Sequence, residues 1–262
     1  MFKRRPPPRL LTVKSARHLT PHMIRVTFSG ETLAGLPAGR EGANCKILLP
    51  EPTETRDAFA ARLEAGEVRL RRTYTVRHFR EEALELDIDF VDHGDAGPAS
   101  AWARRAIAGS FAGFTGPGMP KLTEFDADFY LVAADMSGLP VASASLEAMP
   151  RDARGIAIFE VISAEDEQLI AAPDGVEMRW IVNPDPHRPT RAQLDAIQAL
   201  PWPRGKTRTC IAGEHATVTA IREYLIRDRG MNRRDAYISG YWKIGMVEDD
   251  HQVFKNSDQG KV

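Results

Sequence analysis

The chain has 262 residues, of which 43% are hydrophobic and 27% charged, so it is long enough for one or two packed domains and is not disordered. Its 35 lysines and arginines against 36 aspartates and glutamates give a formal net charge of −1, which disfavours a nucleic-acid partner. No run approaches the ~20 apolar residues of a membrane helix, and the basic start lacks the apolar segment of a signal peptide, so we expect a cytoplasmic protein without a membrane span.

The first half of the chain alternates apolar and polar residues with the period of two that is typical of half-buried strands. Such runs cover residues 24–28, 68–77 and 84–90. In the last of them Glu85, Asp87 and Asp89 form the polar face. Residues 57–64 are predicted to form a short helix, and Gly116-Pro117-Gly118 ends the last strand region. Several short strands separated by turn residues predict an antiparallel barrel.

The second half contains continuous apolar runs, which favour strands that are buried on both faces. These runs cover residues 130–134, 156–162, 176–182, 208–212 and 236–241. Helical patterns separate them at 139–149, after a capping box that begins at Thr190 and includes Gln193, and at 218–225. Strands that alternate with helices predict a parallel α/β domain. We place the domains at residues 1–125 and 126–262, with a frayed polar tail from Phe254.

The run Arg72-Thr73-Tyr74-Thr75-Val76-Arg77 combines side chains that suit a flat, phosphorylated ligand. Arg72 can donate two hydrogen bonds to a phosphate, Tyr74 can stack on an aromatic ring, and Thr75 can donate its hydroxyl. An exposed basic strand face is the alternative explanation of this run. The run by itself does not decide between the two.

A second motif follows the strand that ends at Phe90-Val91-Asp92 and runs from His93 to Ala103, with Trp102 near its end. Its glycines, Gly94 and Gly97, allow the backbone to approach a ligand closely, and Pro98-Ala99-Ser100 opens a helix. A helix N-terminus presents unpaired N–H groups and a positive dipole end, which suit a diphosphate. A plain loop before a helix is the alternative.

Other chemistries have little support in the sequence. Cys45 and Cys210 stand far apart, form no zinc motif and are expected to be buried free thiols. The seven histidines show no metal-ligand spacing, so no metal site is expected. Neither a Gly-x-Ser-x-Gly elbow nor the Gly-x-Gly-x-x-Gly dinucleotide fingerprint is present.

Taken in this order, the two motifs resemble the flavin-binding signature of the siderophore-interacting proteins. These are FAD-dependent ferric-siderophore reductases of the ferredoxin-reductase-like superfamily. Further similarities extend from about Leu11 to Asp249 and lie at Gly116-Pro117, Ala134-Asp135, Leu139-Pro140, Ala212-Gly213-Glu214 and Ser239-Gly240-Tyr241-Trp242-Lys243. The family commonly has Asp-Glu-Thr where this chain has Asp135-Met136-Ser137, which puts in doubt any contact that the glutamate makes.

The resemblance implies an N-terminal antiparallel flavin-binding β-barrel and a C-terminal parallel-sheet α/β domain that binds a nicotinamide cofactor. It also implies a set of FAD-binding residues. They are Arg72, Thr73, Tyr74, Thr75, Val76, Arg77, Val91, His93, Gly97, Pro98, Ala99, Ser100, Asp135, Ser137 and Trp242. By resemblance, Arg72 and the amides of residues 97–100 hold the diphosphate, Tyr74 lies against the isoalloxazine ring, and Thr75 donates near its reactive nitrogen. Arg77 and His93 contact the ribityl or diphosphate portion.

By the same resemblance, Gly213, Glu214 and Tyr241 border the approach of the nicotinamide. Because the chelate is usually anionic, its binding site should be basic, and Lys46 and Lys243 are the candidates, with Arg77 or Arg104 as further ones. The implied function is reduction of Fe(III)-siderophore to Fe(II) with electrons that FAD takes from NAD(P)H or a ferredoxin. We expect a monomer. The alternatives are a general flavin reductase that serves a protein partner and a non-catalytic carrier of flavin or siderophore.

Overall fold

The structure, a computed structural model, describes residues 7–246. It divides into two compact units, of which the first ends at Pro120 and the second begins at Lys121. The tail predicted from Phe254 lies outside the described residues. Between residues 7 and 246, no helix combines the length and the apolar character that crossing a bilayer requires.

The first unit contains a seven-stranded antiparallel sheet in the order β4-β3-β7-β1-β2-β6-β5. The strands are β1 (Arg9–Thr20), β2 (Met23–Ser29), β3 (Asn44–Leu48), β4 (Arg71–Thr75), β5 (His78–Arg80), β6 (Glu85–Val91) and β7 (Phe111–Thr115). The helices are α1 (Arg56–Ala65), which confirms the short helix predicted there, and α2 (Pro98–Arg105).

The sheet closes into a barrel through the short segment between β4 and β5. These strands occupy the two ends of the strand order, yet only Val76 and Arg77 separate them. The amide of Val76 donates to Ala43 O at 2.9 Å, and the amide of Arg77 donates to Asp87 O at 3.0 Å on β6. Because one continuous segment bonds to both margins, the sheet has no open edge at this point. The predicted barrel is confirmed.

The polar face of β6 is buried under a layer of ion pairs. Asp87 and Asp89 are only 4% and 5% exposed. Arg25 donates to both oxygens of Asp89 at 2.7 and 2.8 Å, and Arg80 donates to both oxygens of Asp87 at 2.8 Å. The alternation correctly predicts the two faces, but the polar one is not a solvent face, because arginines from neighbouring strands cover it.

The second unit contains a five-stranded parallel sheet in the order β10-β9-β8-β11-β12. The strands are β8 (Phe129–Ala134), β9 (Arg154–Val161), β10 (Gly175–Val182), β11 (Thr207–Glu214) and β12 (Ala236–Trp242). The helices are α3 (Leu139–Ala148), α4 (Ala192–Gln198) and α5 (His215–Glu223). The predicted parallel α/β architecture is confirmed.

Two details of the sequence-based prediction for this unit are wrong. Strand β10 is not buried on both faces but largely exposed, because it is an edge strand that pairs only with β9. The capping box at Thr190 does not form, because the Gln193 side chain is buried and donates to Ala134 O at 2.8 Å. Instead, the Thr190 hydroxyl accepts from Ala192 N at 3.1 Å.

Candidate functional site

Strand β4 carries the first motif at the closing segment of the barrel. In the register with β3, Arg72 pairs with Ile47 and Tyr74 pairs with Cys45, so both lie on the face that holds the core. Tyr74 is half-buried, and its ring centroid lies 4.3 Å from that of Phe90. Arg72 is half-buried as well.

The aromatic contact of Tyr74 connects the two predicted motifs. Phe90 lies on β6, the strand that leads through Val91 into the glycine loop. Its ring also contacts Trp102 of α2, at 5.7 Å between centroids. The structure therefore brings Tyr74 of β4 next to the strand that precedes the second motif and the helix that the motif opens. Phe90 precedes the second motif and Trp102 belongs to it, and both are packing residues of the site.

Helix α2 begins without a side-chain cap. Its N-cap residue is Gly97, and Pro98 occupies the first turn. A β-carbon at Gly97 would lie 2.2 Å from Cε1 of the His93 ring, although the φ of Gly97 is −107°, which any residue adopts. Glycine is therefore needed for space, since it lets the His93 imidazole lie against the turn. Since Pro98 has no N–H group and Ala101 N donates to Gly97 O at 2.9 Å, the first turn offers the amides of Ala99 and Ser100 to an anion.

The Ser100 side chain is bonded within the glycine loop. This side chain is buried, and its hydroxyl accepts from His93 N at 3.1 Å and donates to Asp92 Oδ1 at 3.4 Å. Asp92 also accepts from Gly94 N at 3.0 Å. The hydroxyl thus fixes the glycine loop, which leaves the backbone amide of Ser100 for a ligand.

The remaining residues of the first motif lie on the outer face of β4 or beyond its end. Thr73 accepts a hydrogen bond from Lys46 on β3. Thr75 is 4% exposed and pairs with Asn44. Arg77 is 5% exposed, and its guanidinium lies 2.7 Å from His78 Nε2 and 3.8 Å from Asp89 Oδ2. Arg77 is therefore part of the buried ion-pair layer rather than of an exposed basic face.

In the second unit, Asp135 joins most of the residues that the resemblance placed there. Its Oδ1 accepts from Ser137 N at 2.8 Å, Ser137 Oγ at 2.6 Å and Gly138 N at 3.2 Å. Its Oδ2 accepts from Glu214 N and Trp242 Nε1, both at 2.7 Å. Gly213 makes room for this arrangement, since a β-carbon there would lie 2.8 Å from Oδ2.

Glu214, Tyr241 and Lys243 lie at the same carboxyl edge of the sheet. Glu214 caps α5 by accepting from Thr217 N at 3.0 Å. The Tyr241 hydroxyl is 3.1 Å from that of Tyr237, and Lys243, directly after β12, forms a bridge with Met246. The edge also carries an exposed histidine that sequence analysis missed.

That histidine is His187, whose ring contacts Trp242 edge-on at 5.6 Å between centroids. It belongs to the loop after β10, and the contact arises because this loop reaches β12 across the order of the strands. Nothing in the local pattern around His187 signals this, since a proline-rich loop gives no period.

Burial shifts the pKa values of two carboxyl groups at this edge. Burial raises the pKa of the Asp135 carboxyl, while hydrogen bonds from Ser137 and Trp242 act in the opposite direction. Burial also raises the pKa of Glu160, at the end of β9, and the charges of Asp135 and Glu214 raise it further. Between residues 7 and 246, no group of three His, Cys, Asp or Glu side chains is placed to hold a metal ion.

Comparison with known proteins identifies the family. Family models match residues 12–121, as a siderophore-interacting FAD-binding domain, and residues 127–245, as a siderophore-interacting protein. Ferric vibriobactin reductase ViuB of Vibrio cholerae is 35% identical over 250 residues, which cover 92% of each chain. The chain belongs to the siderophore-interacting protein family.

Solved structures agree with this assignment. The siderophore-interacting protein SipS of Aeromonas hydrophila superposes with a TM-score of 0.82 at 35% identity, over 94% of this chain and 96% of that one. The ferredoxin reductase of carbazole 1,9a-dioxygenase, at 16% identity, shares the fold with a TM-score of 0.64 over 90% of this chain and 67% of its own. The predicted ferredoxin-reductase-like architecture is confirmed.

The FAD of the siderophore-interacting family fits the residues of the first unit. The uncapped first turn of α2 offers the amides of Ala99 and Ser100 to a diphosphate, and Gly97 lets the His93 imidazole lie against the same turn. Arg72 brings a positive charge, and Tyr74 brings a half-exposed ring for a flat ligand. The Ser100 hydroxyl, already bonded inside the loop, does not add to this set.

Proposed function

We propose that this protein is a ferric-siderophore reductase whose first unit holds FAD. The observation that carries the proposal is the packing of Tyr74 on Phe90 beside the uncapped start of α2, inside a domain of the FAD-binding model. When bound, FAD supplies the capacity to accept two electrons and to release them one at a time. The reductase name of ViuB, a relative over 92% of both chains, supports the same reaction.

Each protein group has a defined part in holding the cofactor. Arg72 and the amides of Ala99 and Ser100 bind the diphosphate, and Tyr74 orients the ring system. His93 and Arg77 stay predictions for the ribityl or diphosphate portion, and Thr75 for a ring nitrogen. The parts of Asp135, Ser137 and Trp242 toward the flavin also stay predictions of the resemblance.

The proposed substrate is Fe(III) held in an external chelate. Oxygen-donor siderophores hold Fe(II) far less tightly than Fe(III), so one-electron reduction releases the metal. The protein need not ligate the iron; it has to attract an anionic complex. Lys46 and Lys243 are proposed for that task, because each brings a positive charge to a half-buried position.

A reduced nicotinamide or a ferredoxin is the proposed electron donor, and the cytoplasm the proposed compartment. Cys45 and Cys210 are buried and unpaired, which suits a reducing environment. We propose that the protein acts as a monomer.

An anaerobic assay of the purified, FAD-loaded protein tests the function. NADH, NADPH and reduced ferredoxin are each mixed with it, and loss of the flavin absorbance is followed. Ferric hydroxamate and catecholate complexes are then added, and Fe(II) is trapped with ferrozine. A reductase produces Fe(II) and recovers the oxidised flavin spectrum. Reduction by a donor without Fe(II) indicates a general flavin reductase, and no reduction by any donor indicates a carrier.

Charge reversal at Lys243 tests the docking of the chelate. Lys243→Glu is expected to weaken binding of an anionic ferric siderophore about tenfold in a fluorescence titration, with FAD still bound, because a favourable contact becomes a repulsive one. Arg151→Glu, an exposed site before β9, is the matched control and should change nothing. Equal affinity of Lys243→Glu and the wild-type protein would remove Lys243 from the site.

A further inference from the structure

The strand order of the second unit reverses between β8 and β11, and the carboxyl ends of these strands form the position where such sheets bind dinucleotides. In that binding mode the diphosphate accepts hydrogen bonds from the N-terminus of the helix that follows the first strand. Here that helix is α3, which begins after Gly138.

Asp135 accepts from the two amides that precede α3 and from the first amide of the helix. The amides of Ser137 and Gly138 donate to its Oδ1 at 2.8 and 3.2 Å, and the amide of Leu139 donates to its backbone oxygen at 2.9 Å. The next residue, Pro140, has no N–H group. Residues 137–140 thus offer no amide to a diphosphate at the start of this helix.

The N-terminus of α5, the helix after β11, is likewise capped by a carboxylate of the chain. Glu214 accepts from Thr217 N at 3.0 Å in the first turn of α5, and its other oxygen accepts from Ile244 N at 3.3 Å. The amide of Glu214 donates to Asp135 Oδ2 at 2.7 Å. Both helix ends beside the reversal point therefore carry a carboxylate of the protein.

A third acidic residue adds to this charge. Glu160 is the second-last residue of β9, and its Oε1 accepts from Asn183 Nδ2 at 2.9 Å, whereas its Oε2 is buried and has no hydrogen-bond partner within residues 7–246. Met136, where the family commonly has glutamate, is buried and uncharged. Lys243 and Arg188, which follows His187 in the loop after β10, bring positive charges to this edge, against the carboxyl groups of Asp135, Glu160 and Glu214.

The arginines that follow α5 do not compensate for these acids. Arg233 and Arg234 precede β12, so they lie at the amino edge of the parallel sheet, opposite to the reversal point. Arg229 lies over the rings of Trp202 and Tyr224, at 5.2 Å from each centroid. These residues are thus not placed to meet a phosphate bound at the carboxyl edge.

We propose that Asp135, Glu214 and Glu160 exclude a dinucleotide's diphosphate from the carboxyl edge of the second unit, so that a nicotinamide donor reacts without help from its adenylate half. The exclusion of the diphosphate is independent of the proposed reductase function. The statement about the nicotinamide donor rests on that function. The proposal accounts for the absence of the Gly-x-Gly-x-x-Gly fingerprint after β8 as a loss of the site that it would serve.

Calorimetric titration of the FAD-loaded full chain with ADP-ribose tests the exclusion directly. We expect no saturation below millimolar concentration. Glu160→Gln removes one charge and leaves an acceptor for Asn183, and it should tighten binding of ADP-ribose about fivefold. Asp152→Asn, an equal charge change at an exposed site before β9, should not alter it. Micromolar affinity in the wild-type protein would overturn the proposal, and unchanged affinity in Glu160→Gln would contradict the part assigned to its charge.

Anaerobic stopped-flow measurement tests the donor. NADH and dihydronicotinamide riboside, which lacks the adenylate half, should reduce the flavin with second-order rate constants within about threefold of each other, allowing for their different intrinsic reactivity with free FAD. An advantage of NADH above about 30-fold would mean that the adenylate half is bound, and would refute the proposal. Failure of the reductase function is seen separately, as absence of Fe(II) formation by the dithionite-reduced protein.

Discussion

Replacing Asp135 by asparagine tests whether the carboxylate organises the carboxyl edge of the second unit. The carboxylate accepts five hydrogen bonds, three at Oδ1 and two at Oδ2. An asparagine side chain of the same shape presents one oxygen and one NH₂ group. In either orientation, the NH₂ group faces at least two donors that previously had an acceptor.

The expected loss follows from those two bonds. A hydrogen bond to a charged group contributes about 1.5–3 kcal/mol, so two of them correspond to about 3–6 kcal/mol. Burial raises the pKa of Asp135, which shows that the charged form carries a desolvation cost that asparagine avoids. We therefore expect a net decrease of about 2–4 kcal/mol in the free energy of unfolding.

Urea unfolding followed by far-UV circular dichroism measures this decrease. Asp152→Asn makes the same chemical change at an exposed position and should stay within about 0.5 kcal/mol of the wild-type protein. Trp242→Phe removes a single donor, so its free energy of unfolding should lie between those of Asp135→Asn and Asp152→Asn. If the free energy of unfolding of Asp135→Asn lies within about 0.5 kcal/mol of the wild-type value, the five hydrogen bonds do not stabilise the unit and the reasoning fails.

Three further predictions concern the remaining features. Gly97→Ala should weaken FAD binding severalfold by displacing the His93 ring, and the double variant with His93→Ala should bind like His93→Ala alone; additive losses of affinity would show that the clash is not with His93. Burial favours the neutral form of Asp87, but hydrogen bonds from Arg80, His78 and Thr27 outweigh it and hold the pKa of Asp87 well below its usual range. The contribution of Asp87 to stability is thus fully present above about pH 5 and is lost as the pH falls below the ordinary pKa of an aspartate. Asp87→Asn should therefore flatten the acid limb of a plot of the free energy of unfolding against pH. An unchanged slope would show that Asp87 does not contribute to the acid dependence. Burial raises the pKa of the Cys210 thiol to about 11 and that of Cys45 further, so neither should react with DTNB at pH 8 before unfolding, and rapid labelling of the native protein would contradict their burial.

Local patterns in the sequence were sufficient to predict the class of each half. Alternation along residues 84–90 separates Leu86 and Ile88 from Asp87 and Asp89, and the structure keeps these two faces. The run at residues 130–134 is apolar on both faces, as the central strand β8 requires. The order of the Arg72–Arg77 and His93–Ala103 motifs indicated the family before any contact was known.

Burial and strand order were decided by the tertiary structure. A period of two tells which residues share a face but not what covers that face, so the ion pairs that bury Asp87 and Asp89 had no local signal. Strand β10 is apolar in sequence yet exposed, because an edge position is a property of the whole sheet. Gln193 fits a capping pattern locally, but a buried acceptor, Ala134 O, competes successfully for its amide.

The candidate site also combines residues that the sequence identifies with contacts that only the tertiary structure creates. The sequence contains Asp135, Glu214 and Trp242, and the resemblance to a family predicts that they are site residues. That they share one carboxylate, with bonds from residues 79 and 107 positions away, follows only from the pairing of β8, β11 and β12 at one edge of the sheet. Hydrogen bonds and charges act over a few ångströms of space, whereas a sequence records only distance along the chain.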